Sequence, residues 1–370
     1  VKTASDHYHA AGRGSDGYSG EMFSEYRLKM HLWKKRNRLR EFLFATSRHS
    51  RSEMRSKMKA IVKYGEEPGN VDYREINEPV CGYRDVKIEI KACAICVTDL
   101  HIIEGAYPWK VGTPLGHEFC GVVVQTGEGV RRFKAGDRVV ACMNGGFAKY
   151  VVKDEEDWIF ALPDEISFEE GALLEPLAAA ANSVFRKSHI LPGDHVLVEG
   201  PGVIGLLALQ AAKLQGAFVM VSGTDVDTER LQMAQRLGAD RVINVQKEDL
   251  FAACEEFTKG AGIDTVLECS GSQAALDSGL KVLTYNGQVT QVGIFARKAS
   301  ADLGTMVYQN QRIVGSIAYD KETWKRVIFL VQTKKVDVKS LISHTLPLAE
   351  WEKGFAMARN KEGYRIVLIP

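Results

Sequence analysis

The sequence of 370 residues contains no uninterrupted apolar run of 18, the length needed for a membrane-spanning helix. Its best stretch, Gly202 to Val221, is broken by Gln210, Lys213 and Gln215. A helical membrane span is excluded. Proline is scarce, at 10 residues, and the 34 glycines follow no Gly-X-Y period, which excludes collagen-like and Pro-rich disordered chains. Cysteine is sparse and odd in number, with seven residues at 81, 93, 96, 120, 142, 254 and 269 and no secretory apolar segment ahead of them. Disulfides are not expected, and the cytoplasm is the expected compartment. An excess of one charge is missing too, since the formal net charge is +1. That balance hides an asymmetry. Residues 1–57 hold 13 Lys/Arg against 6 Asp/Glu, net +7, and the rest hold 35 against 41, net −6. An acidic body has no long-range attraction for phosphate backbones, so neither nucleic acid nor a membrane surface is expected as a partner.

What is present is the composition of a folded protein, 45% hydrophobic and 26% charged, and the length suggests two domains at about 150 residues each. Residues 1–20 are rich in Gly, Ser, Ala and His, and 22–45 set Leu28, Leu32, Leu39, Phe42 and Leu43 among Lys34, Lys35, Arg36, Arg38 and Arg40. This reads as a basic, weakly amphipathic helix. A transit peptide is disfavoured by Asp6, Asp16, Glu21 and Glu25. Residues 1–57 are expected to be a disordered or non-native extension, with Met58-Lys-Ala-Ile-Val-Lys-Tyr64 opening the first strand.

From there, Val- and Ile-rich strands punctuated by Gly and Pro are expected at Ala60–Val62, Val86–Lys91, Gly121–Gln125, Arg138–Val140 and Phe147–Val152. After Leu191-Pro-Gly-Asp194 the pattern alternates. Strands at His195–Glu199, Phe218–Ser222, Arg241–Val245, Asp264–Glu268 and Gln288–Val292 are separated by helices at Val203–Gln215, Asp227–Gly238, 248–259 and Gln273–Leu283. Repeated βα units imply a parallel doubly wound sheet. The tail from about 325 returns to mixed structure and is expected to rejoin the first domain.

Gly200-Pro-Gly202-Val-Ile-Gly205 satisfies G-x-G-x-x-G. Alone the string is weak, but here it follows an apolar strand and opens an apolar helix. In that setting glycines permit the tight turn, the approach of backbone to a pyrophosphate and close helix packing. Asp225 lies 20 residues after Gly205, where a carboxylate would hold the ribose hydroxyls. Ser222-Gly223-Thr224 could shift that register and leave room for a 2′-phosphate, with Arg230 nearby. NAD is favoured and NADP stays open, while Asp225 and Asp227 read equally well as caps of the next helix.

Cys93-Ala-Ile-Cys96 has CxxC spacing, but no second pair completes a four-ligand structural site. More telling is Cys96-Val-Thr98-Asp99-Leu-His101, then Gly116-His117-Glu118, then Leu174-Glu175-Pro176. A thiolate, an imidazole and a carboxylate around one open position make a catalytic zinc site, which polarises an alcohol and lowers its pKa. Each residue alone reads more readily as core or surface; together, beside a nucleotide fold, they read as a site.

In these motifs the sequence resembles the zinc-dependent medium-chain dehydrogenase/reductase family, most of all its sorbitol (polyol) and threonine dehydrogenase branch. Over residues 58–370 the matching strings are Cys96 to His101, Gly116 to Gly121, Gly136 to Val140, Leu173 to Ala178, the glycine fingerprint, and Glu268-Cys-Ser-Gly271. The resemblance implies an α/β protein with a GroES-like β-rich catalytic domain, 58–185 with 325–370, and a doubly wound Rossmann domain, 186–324. It implies zinc on Cys96, His117 and a carboxylate, Glu118 or Glu175, with Asp99 orienting His117 and Thr98 and His101 relaying the substrate proton. Gly200, Gly202, Val203, Ile204, Gly205, Asp225, Arg230, Cys269 and Val292 are the implied cofactor residues. The substrate is implied to be a small-molecule alcohol or polyol, and hydride passes from it to NAD(P). Tyr107, Trp109 and Lys110 read as pocket or as ordinary surface.

The sequence departs from the family where relatives carry a four-cysteine lobe for a structural zinc, since Cys142-Met143 runs directly into Asn144-Gly-Gly-Phe147. One catalytic zinc and no structural zinc are therefore expected, and the family's usual homo-oligomer is put in question. Two alternatives stand beside this reading: a zinc-free quinone or enone reductase of the same fold, which the retained Cys96, His117 and Glu175 argue against, and a catalytically silent binding protein.

Overall fold

The computed structural model describes residues 56–370. The basic segment, with the helix expected over 22–45, lies outside the described residues. The chain divides into two units, 55–293 with 302–370, and 1–54 with 294–301. In the second, residues 294–301 are described and form a loop. All the described strands and helices belong to the first unit.

The first unit opens with an antiparallel pair, β1 (Lys57–Lys63) and β2 (Val71–Asn77). Next come β3 (Asp85–Ala94), a short helix α1 (Val97–Ile103), β4 (Glu118–Thr126), β5 (Arg138–Cys142), β6 (Tyr150–Asp154) and β7 (Ile159–Ala161). These strands join two from the C-terminus, β14 (Ile342–Pro347) and β15 (Arg365–Ile369), in a seven-stranded sheet. Its order is β14-β15-β3-β4-β5-β7, with β6 also paired to β3. In β3 the period of two is plain, Val86, Ile88, Ile90 and Ala92 buried between half-exposed Lys87, Glu89 and Lys91. The tail thus returns to this sheet: β15 pairs antiparallel with the end of β3.

Helices α2 (Phe168–Ala172) and α3 (Leu174–Asn182) lead into the alternating half. There β8 (His195–Glu199), α4 (Val203–Leu214), β9 (Phe218–Gly223), α5 (Thr228–Arg236), β10 (Arg241–Asn244), α6 (Leu250–Thr258), β11 (Ile263–Glu268), α7 (Gln273–Val282), β12 (Leu283–Gln291), α8 (Leu303–Tyr308) and β13 (Arg312–Gly315) follow in turn. The strands form one six-stranded sheet in the order β10-β9-β8-β11-β12-β13, every pairing parallel. The order reverses between β8 and β11, which makes that point the ligand crevice of a doubly wound sheet. Covered on both faces, β8 buries Val196, Leu197 and Val198 completely. Helix α4 buries Leu206, Leu207, Ala208, Leu209, Ala211 and Ala212 and stops at Gly216, whose φ of +85° a side chain would disfavour. Between β13 and β14 lie α9 (Lys321–Gln332) and, before β15, α10 (Trp351–Arg359). On α9 the fully buried Trp324 stacks on Phe160 of β7 with centroids 5.0 Å apart.

The strand expected over 147–152 is shorter and later, at Tyr150–Asp154. Gly145, with φ +111°, turns the chain. Phe147 then bonds singly to Leu115 and Ile61, at 2.9 Å each, instead of entering a ladder.

Two carboxylates lie side by side at the crevice ends of β8 and β11, where Glu199 is in register with Glu268. Glu268 is satisfied by the backbone N–H groups of Ser270 and Gly271. Glu199 has only the Ser278 hydroxyl, at 3.0 Å, and its second oxygen is buried without a partner. Burial, outweighing the Ser278 hydrogen bond and reinforced by Glu268, pushes the Glu199 carboxyl from its ordinary 4.5 up to about 8. Between those values the native chain keeps a proton that the unfolded chain has released. This group therefore makes stability fall as pH rises from about 5 to about 8, and contributes no slope above that. The Glu199→Gln variant should lose this component of the slope and melt several degrees above the parent at pH 8–9. Thermal denaturation from pH 5 to 9 checks it, and parallel curves for the two proteins would refute the assignment.

Candidate active site

Cys96 is the N-cap of α1, with extended backbone at φ −104° and ψ 154°. The helix begins there because Asp99, three residues on, turns its carboxylate back to accept the Cys96 N–H at 2.9 Å. The other Asp99 oxygen accepts the Gly116 N–H at 3.3 Å and lies 3.5 Å from His117 Nδ1. One fully buried carboxylate thus fixes two loops and turns the imidazole so that Nε2 faces away. Gly116 allows the turn into β4, since its φ is +85° and a Cβ there would meet the Phe147 nitrogen at 2.7 Å.

The result is a cluster in which one ligand atom each of Cys96, His117 and Glu118 lies within 4.8 Å of the others. Glu118 is fully buried; one oxygen accepts from Arg365 Nη2 at 3.0 Å and the other has no partner. Arg365 also donates from Nη1 to the Ile95 carbonyl at 2.7 Å. A buried carboxylate oxygen left open beside a thiol and an imidazole is the donor set a divalent zinc ion would complete, so these residues fit that metal. Burial pushes the Cys96 thiol up, but the charge and hydrogen bond of His117, with Arg365 behind, prevail and bring it down to about 7. Burial works against the His117 proton, yet Asp99 and Cys96 hold its pKa well above the ordinary value. Burial raises the Glu118 carboxyl in spite of Arg365.

Glu175, in the first turn of α3, stands outside the three-residue cluster and accepts a hydrogen bond from the Tyr319 hydroxyl at 2.8 Å. Burial, then Glu175 and Cys142, push that phenol far up, so it stays a donor. The Cys96 thiol reaches Thr98 Oγ1 at 3.6 Å, and His101 follows Thr98 by three residues on α1. Cys142, buried at the end of β5, lies opposite Glu118. Tyr107 and Trp109 pack against the core and Trp109 donates to the Thr113 carbonyl at 3.0 Å, whereas Lys110 is exposed.

At the crevice, Gly200 follows β8 with φ +97° and Gly202 caps α4 with open space at its Cβ position. A Cβ on Gly205 would sit 2.0 Å from the Gly200 carbonyl oxygen. This glycine cradle at a helix N-terminus suits a pyrophosphate. Val203 and Ile204 are half-buried in the first turn of α4. The Cys269 N–H donates to the Glu199 carbonyl at 2.9 Å and the Val292 N–H to the Glu268 carbonyl at 2.8 Å, which places both at the crevice end of the sheet. Asp225 is exposed, accepting from Asn244 Nδ2 at 2.8 Å and pairing with Lys247 at 3.2 Å. Asp227 accepts from the N–H and hydroxyl of Thr224, at 3.0 and 2.8 Å. Arg230 is occupied by the carbonyls of Lys361 and Gly363, at 3.3 and 3.1 Å.

Arg365 and Tyr319 escaped the sequence reading. The signal for Arg365 was a charged residue inside the apolar run Arg365-Ile-Val-Leu-Ile369 of the last strand, where only a buried partner makes it tolerable.

Fold and site together define a two-domain nucleotide-linked oxidoreductase. Comparison with known proteins agrees. Residues 82–164 match the alcohol dehydrogenase GroES-like domain and residues 203–333 the zinc-binding dehydrogenase family. A sorbitol dehydrogenase of Halalkalibacterium halodurans is 35% identical over 343 residues, 85% of this chain and 99% of that protein. A D-arabitol-phosphate dehydrogenase of Enterococcus avium is 33% identical over 334 residues, 82% of this chain and 94% of that protein. The crystal structure of 2R,3R-butanediol dehydrogenase from Bacillus subtilis superposes with a TM-score of 0.78 at 30% identity, over 85% of this chain and 99% of that one. The chain belongs to the zinc-type medium-chain alcohol dehydrogenase family.

Removing Arg365 leaves a buried carboxylate without its cation, which typically costs about 3–5 kcal/mol. Chelator-treated Arg365→Met protein should unfold at markedly lower urea than the parent, and adding Glu118→Gln should restore part of the loss. A double variant no more stable than the single one would show that the pair is not coupled.

Proposed function

We propose that the protein catalyses NAD(P)-linked oxidation of a secondary alcohol, and reduction of the matching carbonyl, at one zinc site formed by Cys96, His117 and Glu118. The observation that carries this is the cluster of Cys96, His117 and fully buried Glu118, whose ligand atoms lie within 4.8 Å of one another, with one Glu118 oxygen left without a protein partner. Zinc supplies Lewis acidity that lowers the alcohol pKa, and the nicotinamide supplies the hydride acceptor.

The chain's own contribution is position and charge. Cys96, at about 7, is readily a thiolate near neutrality and needs little further help to serve as a ligand. Asp99 fixes the orientation of His117, and Arg365 balances Glu118. Glu175, held by Tyr319, is the second carboxylate and stands ready to exchange with Glu118 or to act through water. Thr98 accepts the substrate proton next to Cys96 and His101 passes it towards solvent. The glycine cradle takes the pyrophosphate, with Val203, Ile204, Cys269 and Val292 around the nucleotide. Asp225 takes the ribose hydroxyls, which favours NAD; Arg230 is tied to two carbonyls and offers little to a 2′-phosphate. The substrate is a polyol, a sugar or a threonine-like alcohol. With Cys142 alone in place of a cysteine lobe, no structural zinc is expected.

Metal analysis of purified protein should find close to one zinc per chain. Cys96→Ser should lose the metal and reduce alcohol oxidation by at least a thousandfold, with nucleotide binding kept. Metal-free protein that turns over alcohols at the parent rate would overturn the reading.

A further inference from the structure

Arg230 is a cation to which the reaction described above gives no task. It stands in the first turn of α5, where Asp227 accepts from Thr224 with one oxygen and turns the other towards Arg230 Nη1, 3.9 Å away. From there the side chain crosses to the half of the protein built on the seven-stranded sheet. Its Nη2 spans the carbonyls of Lys361 and Gly363, at 3.3 and 3.1 Å, in the loop of residues 360–364 between α10 and β15. Two left-handed residues shape that loop, Lys361 at φ +59° and Gly363 at φ +70°, and a Cβ on Gly363 would collide with Ser343 Oγ. The next residue is gripped as well. The Tyr364 hydroxyl donates to the Glu229 carbonyl at 3.2 Å and accepts from Arg236 Nη2 at 3.4 Å, both on α5.

This grip fixes the approach to the cluster of Cys96, His117 and Glu118. Arg365 follows Tyr364 directly, and two residues of chain from Gly363 span at most about 7 Å. Ser343 Oγ ties the turn down, accepting the Tyr364 N–H at 3.0 Å and donating to the Arg365 carbonyl at 3.1 Å. Beyond it the Ile366 carbonyl accepts the Ile95 N–H at 2.9 Å, while Arg365 donates from Nη1 to the Ile95 carbonyl and from Nη2 to Glu118. Both backbone groups of the residue before Cys96 are thus held from the start of β15. Arg365 Nε is buried without a partner, so the guanidinium is located by contacts at its far end and by the backbone that carries it. A buried ion pair stabilises only while its geometry is good, and the loop that sets this backbone is held by α5.

We propose that Arg230 is a positioning residue for the zinc site: from the parallel-sheet half it holds residues 361–364 so that Arg365 stays on Glu118 and on the carbonyl ahead of Cys96. This rests on the zinc reading and adds to it a residue outside the cluster. Zinc-loaded parent, Arg230→Met and Arg230→Lys are challenged with a chromogenic chelator, beside Arg241→Met as a control whose ion pairs with Glu248 and Glu256 stay within the parallel-sheet half. Arg230→Met should release zinc at least fivefold faster than the parent. Arg230→Lys, which keeps a donor for one carbonyl, should recover part of the loss, and Arg241→Met should stay within twofold of the parent. Equal release from parent and Arg230→Met, or a control that loses zinc as fast as Arg230→Met, overturns the proposal. Amide hydrogen exchange on the metal-free full-length proteins gives a second reading. Arg230→Met should exchange at least threefold faster in peptides covering 94–99 and 364–368, with 195–222 unchanged; unaltered protection over 94–99 refutes the role. That reading holds even if the parent retains no zinc, an outcome that would sink the zinc reading alone. If Arg230→Met does not fold, Tyr364→Phe, which removes only the hydroxyl shared by Glu229 and Arg236, carries both tests with an expected effect of twofold or more in the same direction, and no effect in either test overturns the proposal.

Discussion

The candidate site depends on a buried ion pair between Glu118 and Arg365, residues 247 positions apart in the sequence. Each charge alone would be costly in the interior, so the strand carrying Arg365 must dock where Glu118 begins β4. The guanidinium does more than neutralise, because its other nitrogen holds the carbonyl of Ile95, the residue just before Cys96. One side chain from β15 thereby pins the starts of both segments proposed to carry the zinc ligands. This gives a physical reason for the C-terminal strand to return to the first sheet and to lie against the end of β3. It also leaves one Glu118 oxygen with no protein partner, available to the zinc ion proposed above.

The second requirement is local. Asp99 is placed by helix capping, an interaction that asks only for an acceptor at the third position, yet the same carboxylate holds Gly116 and faces His117. Sequence spacing, helix start and imidazole orientation are thus one event. The effect on Cys96 follows from the same arrangement: burial alone would suppress ionisation, and it is the neighbouring imidazole that brings the thiol within reach of neutral pH.

Much of this was legible in the residues. The alternation after Leu191 predicted five strands of the parallel sheet within a few positions, because buried parallel strands are short apolar runs and β8 and β9 are nearly uniform. The sixth, β13, was missed: three of the four residues in Arg312–Gly315 are exposed, so it carries no such run. Cys96, Asp99, His117 and Glu118 stood out because they fall in two short strings, Cys96 to Asp99 and His117-Glu118. Arg365 and Tyr319 did not, since their partners lie 247 and 144 residues away and no local pattern encodes such a distance. The strand over 147–152 shifted for a related reason: Phe147 satisfies its backbone against Leu115 and Ile61, which only the folded chain brings near.

At the crevice end of the parallel sheet, two carboxyl groups lie in register with unequal hydrogen bonding. Glu268 accepts from successive backbone N–H groups beyond β11, whereas Glu199, in register beside it, has a single hydroxyl and keeps its proton to about pH 8. The two differ in donor supply and not in depth, as both are almost wholly buried. A protonated Glu199 adds no negative charge at the strand end ahead of Gly200, beneath the glycine cradle proposed for a pyrophosphate. The glycine fingerprint can then act through its N–H groups and helix N-terminus with less opposing field from the sheet beneath it.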